Sequence, residues 1–158
     1  MDALDFLSRP REARRRLEEA EQKVSALKAL TERMTARFGI ESEPVRHSRK
    51  TDMMQEAIAN LVEAKEEAVR LKEELAEAEM EVGMALTGIL DESLREFMMK
   101  RYLDLMPIAT AAEELNYSGT WGREANRRGI EEVQRILDGR LAEGLKWDGK
   151  ETDEKSGI

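Results

Sequence analysis

Side chains able to grip nucleic acid crowd into one short stretch: Ser118, Thr120, Arg123, Asn126 and Arg127, with Arg128 beside them. An Arg guanidinium can bond both acceptors of a guanine edge. An Asn amide can bond an adenine edge in the same bidentate way, and Ser or Thr serves phosphates or either base. Thr120, Arg123, Asn126 and Arg127 are spaced so that one helix carries them on one side. Ser118 precedes that helix and is placed to cap it. With the free amides of the helix start it could also hold a phosphate. Arg and Asn are equally at home on any solvated helix face, so the frame around them decides what they mean.

That frame predicts a small three-helix, helix-turn-helix domain over residues 91–141. "DES", Asp91–Ser93, offers an N-cap for a first helix over 92–103, whose apolar face is Leu94, Phe97, Met98, Tyr102 and Leu103. Pro107 opens a second helix over 108–115, with Ala111, Ala112 and Leu115 inward. An Ala at 112 lets another helix cross closely. "LNYS", residues 115–118, reads as a tight turn, because Asn116 takes the left-handed conformation at low cost. The third helix, over 119–137, turns Ala125, Ile130, Val133 and Leu137 inward. In such domains the start of this last helix lies in the major groove. Trp121 is expected on the inner edge of the core. Tyr102 and Tyr117 are expected as core residues with their hydroxyls at the surface.

The elements upstream are longer. Residues 10–90 read as an antiparallel coiled-coil helical hairpin with a break at 39–51. Leu17, Val24, Leu27, Met34 and Phe38 mark its first helix, and Gly39 is a natural stop. "GIESEPVRHSRKTD" follows as a linker, and Thr51 or Asp52 opens the second helix. There Leu61, Ala64, Ala68, Leu71, Leu75, Ala78, Val82, Ala85 and Ile89 alternate steps of three and four, a sustained heptad seam. At about 60 Å, from 1.5 Å per residue, this helix outruns the first. Its excess must meet the C-terminal region or another chain. Residues 1–9, with Leu4, Phe6 and Leu7, form a lead that is either a docking helix or a frayed end. Pro10 suits the first turn of the next helix, with Ser8 as its cap. Residues 142–158 read as a flexible polar tail.

Composition narrows the function classes. Charged residues make up 38 % of the 158 and aromatics 4 %, which suits long solvated helices and an all-α fold. The net charge of −8 excludes phosphate binding over the whole surface, so any contact with nucleic acid is local. Residues 91–141 hold eight basic and ten acidic side chains, so weak monomeric affinity is expected, with oligomerisation or a partner supplying the rest. "RPREARRR", with five Arg and one Glu, and "RHSRK" are further basic patches; the first reads as the solvated start of a helix. Cysteine is absent and His47 is the sole histidine, which argues against disulfides and metal sites. There is no Gly-rich phosphate loop and no nucleophile with a base, so neither catalytic residues nor a cofactor is expected. No apolar run approaches the roughly 18 residues of a membrane span. The acidic start is not a secretory signal, and a cytoplasmic location is expected.

The stretch "LREFMMKRYLDLMPIATAAEELNYSGTWGREANRRGIEEVQRIL" resembles the C-terminal promoter-reading domain of sigma-70 factors. It is more similar still to phage late-gene regulators of the ArpU/RinA type. Arg101-Tyr102, Ala112, Leu115 and Tyr117-Ser118 match those regulators' "rY … A..L.YS" pattern, and "HSRKTD" resembles the break in their upstream hairpin. The resemblance implies a sequence-specific transcription regulator of phage or prophage in a bacterial host. It would read double-stranded DNA through the last helix, and its coiled coil would make a homo-oligomer or dock RNA polymerase. The same parts also suit a phage DNA-packaging component, a ring like the small terminase subunit, or a helical protein-binding adaptor. The chain departs from the family pattern at Ala111, Gly122 and Gly129. The two glycines either admit unusually close packing, against Trp121 or Tyr117, or weaken their helix.

Overall fold

The computed structural model describes the backbone of residues 1–40 and 47–156, and the side chains of residues 1–38 and 49–141. The described residues form α1 (Ala3–Ile40), α2 (His47–Leu86), α3 (Glu92–Tyr102), α4 (Ile108–Glu114) and α5 (Gly119–Ser156), with no strand among them. The protein is all-α, as its periodicity indicates. None of these helices is long and apolar enough to cross a membrane. Packing divides the chain into two units, Glu12–Glu77 and Met1–Arg11 with Ala78–Ile158.

In the first unit, stretches of α1 and α2 approach each other. Arg16 approaches Glu74 at 3.8 Å, while farther along Lys28, Thr31 and Thr35 share a groove with Leu61 and Lys65. The covered stripe is the one the heptad spacing marks. Leu17, Ala64 and Leu71 are buried; Val24, Leu27, Met34, Phe38, Leu61, Ala68 and Leu75 are half-buried. Two helices alone cannot enclose a seam, so its edges stay wet.

The interval between the two helices is shorter than the linker expected at 39–51. α1 runs through Gly39 to Ile40, and α2 begins at His47 rather than at Thr51. Nothing in "HSRKTD" breaks a helix, since the Gly and the Pro lie upstream of it. Residues 41–46, and the His47 side chain, lie outside the described residues. Lys50 places its ammonium over the Phe38 ring, 5.7 Å from the centroid.

The second unit holds the thicker core: Leu7, Val82, Leu86, Ile89, Phe97, Met98 and Val133 are fully buried. The upper seam residues Val82, Ala85 and Ile89 end in this core, so the excess of α2 is met by the C-terminal helices. The lead is neither separate nor frayed. α1 starts at Ala3 and contains Pro10. A Pro deep inside a helix costs about 3 kcal/mol or more; here Ala3, Phe6, Leu7 and Pro10 bury one face in return. Ser8 does not cap, because its hydroxyl donates back to the Leu4 carbonyl at 2.7 Å. Gln134 of α5 ties the chain start down: Ala3 N–H donates to its Oε1 at 2.8 Å, and its Nε2 donates to the Met1 carbonyl at 3.0 Å. α5 itself continues to Ser156, past residue 141 where the sequence reading begins a tail.

Candidate functional site

The candidate face is built by the turn between α4 and α5. Tyr117 N–H donates to the Ala112 carbonyl and Asn116 N–H to that of Glu113, both at 2.9 Å. Asn116 has φ 64°, so this is a Schellman closure with Asn in the left-handed position. Ser118 then caps α5 by accepting from Trp121 N–H at 3.1 Å. Asp91 caps α3 in the same way, accepting from Leu94 N–H at 3.2 Å. Each of these local features follows from its residue type.

Glycine settles how tightly α5 crosses its neighbours. A Cβ on Gly122 would stand 2.9 Å from Ala112 Cβ and 3.2 Å from the Ile108 carbonyl oxygen. A Cβ on Gly129 would run into the fully buried Met98 side chain. The two glycines therefore admit close packing, against α4 and Met98 rather than against Trp121 or Tyr117. With Ala125, Val133 and Leu137 they form the buried stripe of α5, and Ile130 is half-buried beside it. Trp121 is half-buried, edge-on to Phe97 at 5.6 Å and stacked on Tyr117 at 3.9 Å. Tyr117 is more exposed than expected, at 41 %, with its hydroxyl 3.2 Å from Ser93 Oγ.

Opposite the buried stripe, Thr120, Arg123 and Arg127 line up in the open. Among the described residues, Arg123 reaches only Thr120 Oγ1, at 3.4 Å. Arg127 is clasped by Glu124 and by Glu131, the latter at 2.7 Å. The hydrogen bond and charge of Glu124 push the Arg127 pKa up, and Arg127 in turn holds the Glu124 carboxyl below its usual range. The strip is thus close to neutral. Exposed pairs of this kind contribute little, so an incoming phosphate could take the guanidinium at small cost.

The other two residues sit to either side. Arg128 is exposed and 3.7 Å from the α3 cap, Asp91. Asn126 is half-buried, and its Oδ1 accepts from the Tyr102 hydroxyl at 2.7 Å. Five of the expected six therefore share one stretch of α5, with Ser118 just before it, but they do not share one face. Glu124 and Glu131 belong to the site and were missed, although their i−3 and i+4 spacing to Arg127 is visible in sequence. Tyr102, far away in sequence, carried no such signal. The basic cluster of α1 is engaged as well: Arg9 bonds Glu81 at 3.0 Å, and Arg15 contacts Glu12 and Glu19.

No family model matches this chain, and neither a curated protein nor a solved structure does.

Proposed function

We propose that this chain is a DNA-binding transcription regulator of phage or prophage type, in which α4 and α5 form a helix-turn-helix and α5 enters the major groove. The paired arms of α1 and α2 would then act as a coiled-coil hairpin that sets the spacing of a homo-oligomer or docks RNA polymerase. One observation carries the reading. The tight α4–α5 turn and the Ala112–Gly122 crossing anchor the start of α5 while leaving Thr120, Arg123 and Arg127 in the open. Groove-reading helices need this combination of a fixed N-terminal turn and free polar side chains.

Charge sets the expected strength. With Glu124 and Glu131 beside Arg127, few net phosphate charges are neutralised per monomer, so binding is weak and steep in salt only when several copies engage. Selection of the full chain against a random duplex pool tests the reading, with solution mass measured on the same sample. A regulator enriches a defined sequence and runs as a monomer or dimer. An unenriched pool contradicts sequence-specific reading, and a ring of eight or more copies turns the account toward DNA packaging.

A further inference from the structure

We infer that an outer face of α2 pairs in parallel, and in register, with the same face of a second copy of this chain, through Val62, Val69 and Ala76. The inference rests on the homo-oligomer part of the proposed function and not on its DNA reading. All of the residues involved lie within Glu12–Glu77. The covered stripe of α2 runs there through Leu61, Ala64, Ala68, Leu71 and Leu75, each buried or half-buried. One position after Leu61, Ala68 and Leu75 stands an apolar residue that nothing covers. Val62 is 48 % exposed and Val69 59 %, and Ala76 is exposed as well. Single exposed apolar side chains carry no message. Three at every seventh position line up along a helix, which is the spacing of a coiled-coil contact.

The charges beside this line point to its occupant. Lys65 and Lys72 follow a stripe residue by three positions, and Glu66 and Glu73 by four. The lysines therefore run along one edge of the line and the glutamates along the other, all four exposed. None of them makes an ion pair or a side-chain hydrogen bond among the described residues. The sequence explains why, since charges on a helix meet at three and four positions apart. At those distances Lys65 has Leu61, Val62, Ala68 and Val69, and Lys72 has Ala68, Val69, Leu75 and Ala76. The one cation in reach of Glu66 and Glu73 is Arg70, which Glu67 and Glu74 already hold.

A second copy supplies the partners, and symmetry fixes its direction. In a two-fold pair of antiparallel helices like edges meet, so lysines would face lysines and glutamates would face glutamates. In a parallel pair unlike edges meet. In register, Lys65 is then level with Glu66 of the second copy and Lys72 with Glu73, on both sides of layers made by Val62, Val69 and Ala76. Ile58, 46 % exposed, and Ala59 continue the two edges one heptad earlier with apolar side chains, so they too can meet. A face this narrow makes a weak, concentration-dependent dimer.

The chain has no cysteine, so introduced cysteines report the pairing without background. Val62→Cys, Val69→Cys and Ala76→Cys, made singly in the full chain, should each give a disulfide-linked dimer on mild oxidation, because a parallel two-fold sets every stripe residue opposite itself. An antiparallel pair would link at one of the three at most. Glu63→Cys, about 100° round the helix from Val62, should not link. Sedimentation equilibrium over a range of concentrations gives the affinity. Lys65→Glu with Lys72→Glu should weaken the dimer at least about tenfold, as should Glu66→Lys with Glu73→Lys, because like charges then face each other. An equimolar mixture of these two variants should recover the dimer, a rescue that damage to the fold would not give. Circular dichroism checks the fold of each variant. A monomer at every concentration, linking at one stripe position or none, or an affinity that neither pair of substitutions moves overturns the inference. No DNA enters these measurements, so their failure leaves the DNA reading of α5 standing, and a duplex pool that enriches nothing leaves the pairing standing.

Discussion

The arms of Glu12–Glu77 and the packing of α3, α4 and α5 are both helix against helix, yet they are made by opposite means. In the arms, leucines and alanines at heptad spacing form a stripe, and many seam residues stay half-buried because only two helices share it. Around α5, contact is made by what is missing: Gly122 lets Ala112 and Ile108 come close, and Gly129 makes room for Met98. A wet seam tolerates small changes of volume. A close crossing does not, and that rigidity is what the reading face proposed for the far side of α5 would require.

The largest expected effect is Gly129→Ala. Overpacking against buried Met98 should outweigh the gain in helix propensity and destabilise the fold by about 2–3 kcal/mol, seen as a lower urea midpoint. Gly122→Ala comes next at about 1–2 kcal/mol, because one of its neighbours is backbone that cannot move aside. Gly139→Ala sharpens the contrast in the same helix. Nothing lies within 4 Å of its added Cβ, so it should stabilise by up to about 1 kcal/mol. A Gly129→Ala variant as stable as Gly139→Ala would end the distinction between close crossing and open helix. The smallest effect on stability belongs to Glu124→Gln with Glu131→Gln, which remove only exposed pairs and should leave the urea midpoint close to that of the wild type. The same double substitution should tighten DNA binding several-fold by releasing Arg127. Unchanged or weaker binding would mean that Arg127 does not meet phosphate or base.

Burial along α1 and α2 was legible in part because heptad periodicity is written along the chain: Leu17, Ala64 and Leu71 are buried where that spacing puts them. The caps were legible too: Asp91, Asn116 and Ser118 do what their side-chain chemistry dictates. Element starts were less so. Pro10 and Ser8 look like a helix start, but burial of Phe6 and Leu7 carries the helix back to Ala3. The docking of the chain start on Gln134 could not be read, because it spans 131 positions with no pattern linking them. Within the site, Thr120, Arg123 and Arg127 stand where a helical wheel puts them. Asn126 does not present as a free amide, because Tyr102 arrives from another helix. The two glycines were visible as departures, but only the distances to Ala112 and Met98 decide between weak helix and tight crossing.

The central claim is that the exposed strip of α5 contacts duplex DNA. Fluorescence anisotropy on the selected duplex, at several salt concentrations, compares the wild type with Arg123→Ala, Arg127→Ala. The account predicts binding at least about tenfold weaker and a salt slope smaller by about 1–2 per bound chain, as lost phosphate or base contacts require. Equal affinity and equal slope would contradict it.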